Sequence, residues 1–239
     1  MTVSPPERPS AKGRRRPIVT IDGPAGSGKS STAKAVARRL GFRHLDSGAL
    51  YRALTFALLE AGVDPSDWST LNATDLAACG VELTPSHDGF RVTVSGRSPG
   101  AEIRSAAVTA RVSQAASLPA VRNSLLDHQR RAGETGGLVA DGRDMGTVVF
   151  PDADVKVFLT ADLAERARRR LLQVTGEVPG DEQVGEEARR IEARDTWDSE
   201  REISPLRKAE DAVELDTTRL TMAEQVREVV RLVDALTME

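Results

Sequence analysis

The sequence predicts an α/β fold in which a doubly wound parallel sheet carries helices on both faces. Three observations support this class. Short β-branched or apolar runs alternate with stretches of helical length from Pro17 onward. A glycine-rich turn follows the first of these runs and opens the first helix. The chain has 239 residues, which suits one compact domain that contains an insertion.

Five strands and five helices make up the predicted alternation. The strands are expected in the apolar runs at 17–21, 42–45, 138–140, 155–159 and 212–215. The helices are expected at 29–40, 48–61, 162–174, 186–199 and 221–237. The first helix stops at Gly41, and the last begins at a capping box formed by Thr221 and Glu224.

One stretch interrupts the alternation. The segment VELTPSHDGFRVTVSG, residues 81–96, has apolar residues at period two on both sides of PSHDG, which predicts a β-hairpin. A hairpin is not expected to continue a parallel sheet, so we assign residues 63–100 to an inserted part of a substrate-binding subdomain. Two helices, at 102–117 and 120–132, are expected to follow it.

The composition restricts the binding partners that we expect for the protein and its expected cellular compartment. Residues 1–16 are rich in Pro, Ser and Arg and predict a disordered tail before a folded domain of residues 17–239. The net charge is −3, so no global positive field favours nucleic acid or an anionic membrane as a partner. Cys79, the single cysteine, is interpreted as a small core residue. Without a signal peptide or an apolar run of about 18 residues, we expect a cytoplasmic protein.

The glycine-rich turn, GPAGSGKSS, matches the phosphate-binding pattern G-x-x-x-x-G-K-[ST]. Its glycines let backbone N–H groups surround phosphate oxygens, Lys29 reaches the outer phosphates, and the hydroxyl of Ser30 or Ser31 meets Mg²⁺. A glycine-rich surface turn is the alternative, but the strand before the turn and the helix after it favour a nucleotide site. The predicted nucleotide-binding residues are Gly23, Pro24, Ala25, Gly26, Ser27, Gly28, Lys29, Ser30 and Ser31.

Two further turns follow predicted strands and are expected at the same edge of the sheet. In LDSGALYR, Ser47 precedes a helix that carries Arg52, and the planar guanidinium of an arginine is well suited to bind phosphate. An ordinary helix N-cap is an equally simple explanation for Ser47. In ADGRDMG, Asp141 ends a buried strand where an acidic residue near Mg²⁺ is expected. Arg143 and Asp144 then turn into the crevice, unless this segment is a plain turn.

A third pattern lies on a predicted helix. Arg194, Asp198 and Arg201 are spaced i, i+4 and i+7 and project from one face, but surface ion pairing explains this spacing equally well. Upstream, an arginine-rich helix runs into a polar segment, which is typical of a closing lid and is assigned to residues 166–190. The arginines are Arg166, Arg168, Arg169 and Arg170, and the glycines of the polar segment are Gly176, Gly180 and Gly185.

A phosphate-binding turn alone does not distinguish a GTPase, a nucleic-acid motor and a small-molecule kinase. The chain has no N-K-x-D segment for guanine recognition and no L-S-G-G-Q transporter signature. Its length leaves no room for a tandem motor core. These features favour a kinase with a mobile substrate-binding insertion.

The whole set of motifs resembles that of the bacterial cytidylate kinases, a family of nucleoside monophosphate kinases. The resemblance extends from about Pro17 to the end of the chain and is carried, in order, by GPAGSGKSS, LDSGALYR, ADGRDMGTVVFP, ERARRR and RDxxDxxR. It implies ATP as the phosphoryl donor, CMP or dCMP as the acceptor, and Mg²⁺ as a cofactor. We expect a monomer whose partners are these small molecules.

The resemblance also implies a role for each matching position. Ser47, Ser113, Arg122 and Asp144 would face the cytosine, Arg52, Arg143 and Arg201 the acceptor phosphate, and Arg194 and Asp198 the sugar hydroxyls. The catalytic residues would be Lys29, Arg143 and the lid arginine Arg169, and the metal would be held by Ser30 and Asp141.

The chemistry of such a transfer needs no general base. A nucleoside monophosphate has a second pKa of about 6 and is mostly a dianion near neutral pH. His44, His87 and His128 show no catalytic spacing and are interpreted as structural or surface residues. The alternatives are a small kinase for UMP, dTMP or a hydroxyl such as that of shikimate, and, from another class, a nucleotide-binding regulator or a nucleic-acid ATPase.

Overall fold

A computed structural model of the chain describes residues 16–87 and 89–236. Most of the predicted tail, residues 1–15, lies outside this part. Arg16 belongs to the folded domain instead: its Nη2 donates to the carbonyl oxygens of Leu40 at 3.1 Å and Gly41 at 2.8 Å. Its guanidinium also lies 4.6 Å from the ring centroid of Phe42. Arg16 therefore satisfies carbonyl groups at the end of the first helix.

The sheet has seven strands in the order β3-β4-β2-β5-β1-β6-β7, and every neighbouring pair except β3 and β4 is parallel. The strands are β1 (Ile18–Asp22), β2 (Arg43–Asp46), β3 (Val81–Ser86), β4 (Gly89–Val94), β5 (Leu138–Gly142), β6 (Val155–Thr160) and β7 (Val213–Asp216). The predicted fold class, the hairpin and the five predicted strands are confirmed, with strand ends within two residues of those expected.

The expectation that the hairpin stands apart from the parallel sheet is wrong. Strand β4 pairs in parallel with β2, where Gly89 lies opposite His44. Gly89 has φ +151°, and a Cβ built there would lie 2.8 Å from the His44 nitrogen and still closer to its carbonyl oxygen. The absence of a side chain at Gly89 thus allows the hairpin to reach the sheet edge.

The helices are α1 (Lys29–Leu40), α2 (Ser47–Glu60), α3 (Ala73–Ala78), α4 (Ala106–Ser117), α5 (Pro119–Gly133), α6 (Leu163–Thr175), α7 (Asp181–Glu200) and α8 (Met222–Leu236). The expected ends hold within two residues except at the starts of α4 and α7, and α3 was not predicted. Helix α4 begins late because a 3₁₀ turn, Glu102–Arg104, precedes its Ser105 cap. Helix α7 begins early, with Gln183 accepting from Gly180 N at 2.9 Å, so Gly185 is helical.

Two apolar clusters cover the faces of the sheet. Ile18 of β1 packs in a cluster with residues of α2, α4 and α5, whereas Val19 and Ile21 pack in a second cluster with α1 and α8. This alternation of side chains along one strand confirms that helices cover both faces. Cys79 packs against the first cluster and is half-buried, so it is a peripheral core residue.

Gly89→Ala is expected to lower the free energy of unfolding by about 1 to 3 kcal/mol, because the side chain needs a rare φ and collides with the backbone of β2. Gly96→Ala is the matched control, since Gly96 also has a positive φ, +76°, but a Cβ there meets nothing within 4 Å. Chemical denaturation should show a larger loss for the first variant. Equal losses would contradict the importance of the close approach.

Candidate active site

The site is a pocket of about 650 Å³ at the carboxyl ends of the central strands. Ligands bind at this edge in open α/β sheets. Every residue that was predicted to contact the acceptor nucleotide lines this pocket. These residues are Ser47, Arg52, Ser113, Arg122, Arg143, Asp144, Arg194, Asp198 and Arg201. The other predicted residues that line it are Ala25, Gly26, Gly28, Lys29, Ser30, Ser31, Asp141 and Arg169. Gly23, Pro24 and Ser27 belong to the loop but are not among the lining residues.

The glycine-rich turn connects β1 to α1 and forms one side of the pocket. Gly28 has φ +88° and directly precedes α1, whose first residue is Lys29. The Lys29 Nζ donates to the carbonyl of Pro24 at 3.0 Å. Burial, assisted by the positive charge of Arg143, lowers the pKa of Lys29 to about 7. An anion beside this lysine would therefore stabilise its ammonium form.

Asp141 connects the turn to the neighbouring strands. The Ser30 hydroxyl donates to one of its carboxylate oxygens, and His44 Nε2 lies 2.7 Å from the other. This contact favours Ser30 over Ser31 as the hydroxyl that accompanies Asp141. The sequence analysis gave His44 no role at the site, because its partner is 97 positions away in the sequence.

One part of the pocket contains a buried ion pair between Arg122 and Asp144. Arg122 Nη1 also donates to the carbonyl of Ala116 at 3.1 Å, and the guanidinium lies 5.3 Å from the ring centroid of Tyr51. Ser113 lines the same pocket. The Ser47 hydroxyl donates to the backbone carbonyl of Asp141 at 2.7 Å, so in this conformation it fixes two strand ends relative to each other.

The same pocket contains a cluster of arginines. Arg143 pairs with Asp198 of α7 at 2.9 Å, and Arg52 donates to the Ile103 carbonyl at 3.2 Å. Burial and neighbouring arginines lower the pKa values of Arg52 and Arg194 to about 10. Such crowded cations favour an anionic ligand.

Two buried guanidinium nitrogens in this cluster have no hydrogen-bond partner among the described residues. They are Nε of Arg194 and Nη2 of Arg201. The Nε of Arg201, in contrast, donates to the Ser204 carbonyl at 2.6 Å. An unpaired buried donor is costly, and most buried polar groups in proteins have partners. The two free donors therefore indicate a ligand with acceptor oxygens.

The four arginines of α6 make different contacts, although Arg168 and Arg169 both pair with Glu165. Arg169 lines the pocket and donates to the Thr217 carbonyl at 2.7 Å, while Arg170 also lines it and pairs with Glu187 at 2.6 Å. Arg168 pairs with Glu165 near the surface. Arg166 instead holds the glycine-rich turn, since its Nη1 donates to the Ala25 carbonyl at 3.0 Å.

Two further carboxylates hold the turns in place and were missed by the sequence analysis. Asp195 of α7 accepts from Ala25 N at 2.9 Å and pairs with Arg166. Asp22, the last residue of β1, accepts from Met145 N at 2.9 Å and Gly146 N at 2.8 Å. Burial raises the pKa of Asp22 to about 7, although both backbone bonds act in the opposite direction. Asp195 lies within RDxxDxxR and Asp22 directly precedes the glycine-rich turn, but neither local pattern reveals the distant partner of the carboxylate.

Two absences hold for the described part of the chain, one of metal-ligand clusters and one of membrane-spanning helices. No group of three or more His, Cys, Asp or Glu side chains within residues 16–87 and 89–236 is arranged to hold a metal ion. In the same part of the chain, no helix is both long and apolar enough to span a bilayer.

Comparisons with known proteins agree with this site. The family profile described as Cytidylate kinase matches residues 19–235. The chain is 47% identical over 222 residues to the cytidylate kinase of Geobacillus thermodenitrificans, covering 92% of this chain and 97% of that one. It is 48% identical over 223 residues to the bifunctional pantoate ligase/cytidylate kinase of Synechococcus elongatus, with 91% of this chain covered.

This chain spans 42% of the length of that bifunctional relative, less than half. A solved structure of an uncharacterized protein from Eubacterium ventriosum shares the fold, with TM-score 0.50, 12% identity, and coverage of 92% of this chain and 99% of that one. The family profile covers most of the chain, and the resemblance carried by the motifs is confirmed. The chain belongs to the cytidylate kinase family.

Proposed function

We propose that the protein transfers the γ-phosphoryl group of ATP to CMP or dCMP, giving ADP and CDP or dCDP. One observation carries this proposal: one pocket contains the glycine-rich turn with its buried Lys29, an arginine cluster and the buried Arg122–Asp144 pair. These parts match a donor triphosphate, an acceptor phosphate and a polar base, respectively. The family membership supports the same substrates.

The arginine cluster would bind the acceptor phosphate. Arg52, Arg143 and Arg201 line the pocket, and the free Nη2 of Arg201 supplies an unused donor. Arg194 and Asp198 are proposed to contact the sugar hydroxyls. The dianionic acceptor needs no base, so the task of the protein is to align two charged groups and neutralise them. Lys29, Arg143 and Arg169 are the proposed catalytic cations.

Cytosine fits the Arg122–Asp144 pair. Its ring nitrogen and carbonyl accept hydrogen bonds, while its exocyclic amine donates one. The Asp144 carboxylate can accept from the amine, and the Arg122 guanidinium can donate to the ring nitrogen or carbonyl. Uracil presents a carbonyl where cytosine has the amine, and that carbonyl would face a carboxylate. We therefore propose that this pair, together with Ser47 and Ser113, selects the base.

Mg²⁺ fits the donor set on the other side of the turn. The contact between Ser30 and Asp141 places a hydroxyl and a carboxylate together, and oxygen ligands of this kind suit Mg²⁺, which keeps several waters and binds substrate phosphates. Ser30 and Asp141 would hold the ion, with His44 orienting the carboxylate from its other oxygen. When bound, the ion neutralises charge on the phosphates.

Steady-state assays with ATP and each of CMP, dCMP, UMP and dTMP test the substrate class. CMP and dCMP are expected to be the best acceptors, because the Arg122–Asp144 pair is proposed to discriminate against UMP and dTMP. Preference for UMP, dTMP or a hydroxyl acceptor would identify a different small kinase. ATP hydrolysis that RNA stimulates and no nucleotide acceptor affects would contradict the proposal. The monomeric state and the cytoplasmic location stay predictions.

Lys29→Ala is expected to reduce kcat by about 100-fold or more while the fold is kept, because a principal charge at the transferred group is lost. Lys34→Ala is the matched control, since Lys34 lies on the same helix and is exposed. Circular dichroism verifies folding of both variants. A Lys29 variant that keeps more than about a tenth of wild-type kcat would contradict its catalytic role.

Asp144→Ala is expected to lower kcat/KM for CMP by a factor that corresponds to about 1 to 3 kcal/mol, the cost of leaving a buried polar group unpaired. The same substitution is expected to lower kcat/KM for UMP much less. The ratio of the two kcat/KM values is the measurement, because general destabilisation affects both substrates alike. Asp127→Ala removes an exposed carboxylate from α5 and serves as the control. An equal loss for CMP and UMP would place Asp144 in phosphate binding or loop structure instead.

A further inference from the structure

We propose that Asp22 is a positioning residue for base recognition: it holds, from the last position of β1, the turn that presents Asp144 to the acceptor base. The proposal rests on the proposed function, because it assumes that Asp144 contacts the base. It adds a residue that makes no predicted contact with either nucleotide.

The turn that Asp22 holds is a single π-helical turn, Met145–Val149, and Asp144 is its cap residue. The Asp144 carbonyl accepts from Val148 N at 2.9 Å, but the first N–H groups of any helical turn lack partners within it. Here those groups belong to Met145 and Gly146, and each donates to one carboxylate oxygen of Asp22. Asp22 therefore caps a turn more than 120 positions away in the sequence.

Close packing makes the position of this turn sensitive to the cap. A Cβ built on Gly146 would lie 2.9 Å from Thr20 Oγ1, so the turn lies directly against β1. Before the turn, a Cβ built on Gly142, the last residue of β5, would lie 2.6 Å from the Ser47 hydroxyl. Asp144 lies between these two tightly packed glycines in the sequence, and its side chain pairs with Arg122. A shift of the turn would move the carboxylate of Asp144 out of alignment with the base.

The position of Asp22 also distinguishes its role from that of a residue in the glycine-rich turn. Its side chain is 5% exposed and lies near the charges of both Asp144 and Lys29. Its two hydrogen bonds, however, go only to the turn that follows Asp144. Removing one carboxylate oxygen as a hydrogen-bond partner should therefore weaken the binding of the nucleotide that accepts the phosphoryl group more than the binding of ATP.

The test is Asp22→Asn, which keeps the shape but places an amide group opposite a backbone N–H donor. KM for CMP is expected to rise by about tenfold and the CMP to UMP ratio of kcat/KM to fall, while KM for ATP changes by less than about threefold. Asp154→Asn is the matched control. Asp154 accepts from Ile18 N at 2.7 Å at the opposite end of β1, so its loss weakens the same strand far from the base.

A second measurement needs no substrate. Amide hydrogen exchange should show the N–H groups of Met145 and Gly146 protected in the wild type, and at least one of them, the one opposite the new amide group, should exchange faster in Asp22→Asn. If Asp22→Asn fails to fold, Gly146→Ala, which pushes the same turn away from β1, is expected to lower the CMP to UMP ratio. An unchanged ratio in the variant that folds would overturn the proposal, as would an equal rise in KM for ATP and CMP.

The outcomes separate this inference from the proposed function. A wild-type protein that phosphorylates neither CMP nor dCMP would refute the proposed function, while the exchange data would still show whether Asp22 holds the turn. If Asp144→Ala keeps the CMP to UMP ratio of the wild type, Asp144 does not read the base and the positioning role of Asp22 is overturned, even where CMP is the substrate.

Discussion

The site depends on the register of three parallel strands. In this register Asp46 of β2 lies opposite Asp141 of β5, and Asp22 of β1 lies opposite Gly142. Parallel strands that end at one level send their following turns to the same edge of the sheet. Three segments therefore converge on one pocket: the glycine-rich turn, the start of α2 and the turn that contains Arg143.

The convergence concentrates charges of both signs in a small buried volume. Burial raises the pKa of Asp46, and the neighbouring Asp141 raises it further. Burial also lowers the pKa of Arg194, with the positive charge of Arg143 adding to the effect. Part of this charge is paired, as in Arg143 with Asp198. Arg194 Nε and Arg201 Nη2 have no hydrogen-bond partner among the described residues, and an anionic ligand that accepted from them would stabilise the folded protein.

Helix α7 contacts the glycine-rich turn and also contributes side chains to the pocket. Asp195 binds the backbone of Ala25 in the glycine-rich turn, while Arg194 and Asp198, one and three positions away, line the pocket. A helix rises only about 1.5 Å per residue, so these side chains keep a nearly fixed separation along its axis. A movement of α7 would therefore act on the pocket and on the glycine-rich turn together.

The sequence by itself determined the features that depend on local chemistry. The glycine spacing and Lys29 identified the phosphate-binding turn, the β-branched runs located the five strands, and the alternation of residues 81–96 identified the hairpin. The motif resemblance identified the family and many of the residues that line the pocket. Each of these signals lies within a short segment, because turn geometry and side-chain periodicity are properties of neighbouring residues.

The tertiary structure alone decided which distant segments meet. The hairpin joins the sheet because Gly89 lets two backbones approach, and this depends on the partner strand as much as on the glycine. The bonds of Asp22 to Met145 and Gly146 and of Asp195 to Ala25 join residues more than 120 positions apart. A carboxylate has the same local sequence signature whether it faces solvent or caps a remote turn. Burial and partner are set by the packing of the whole chain, and they determine its role.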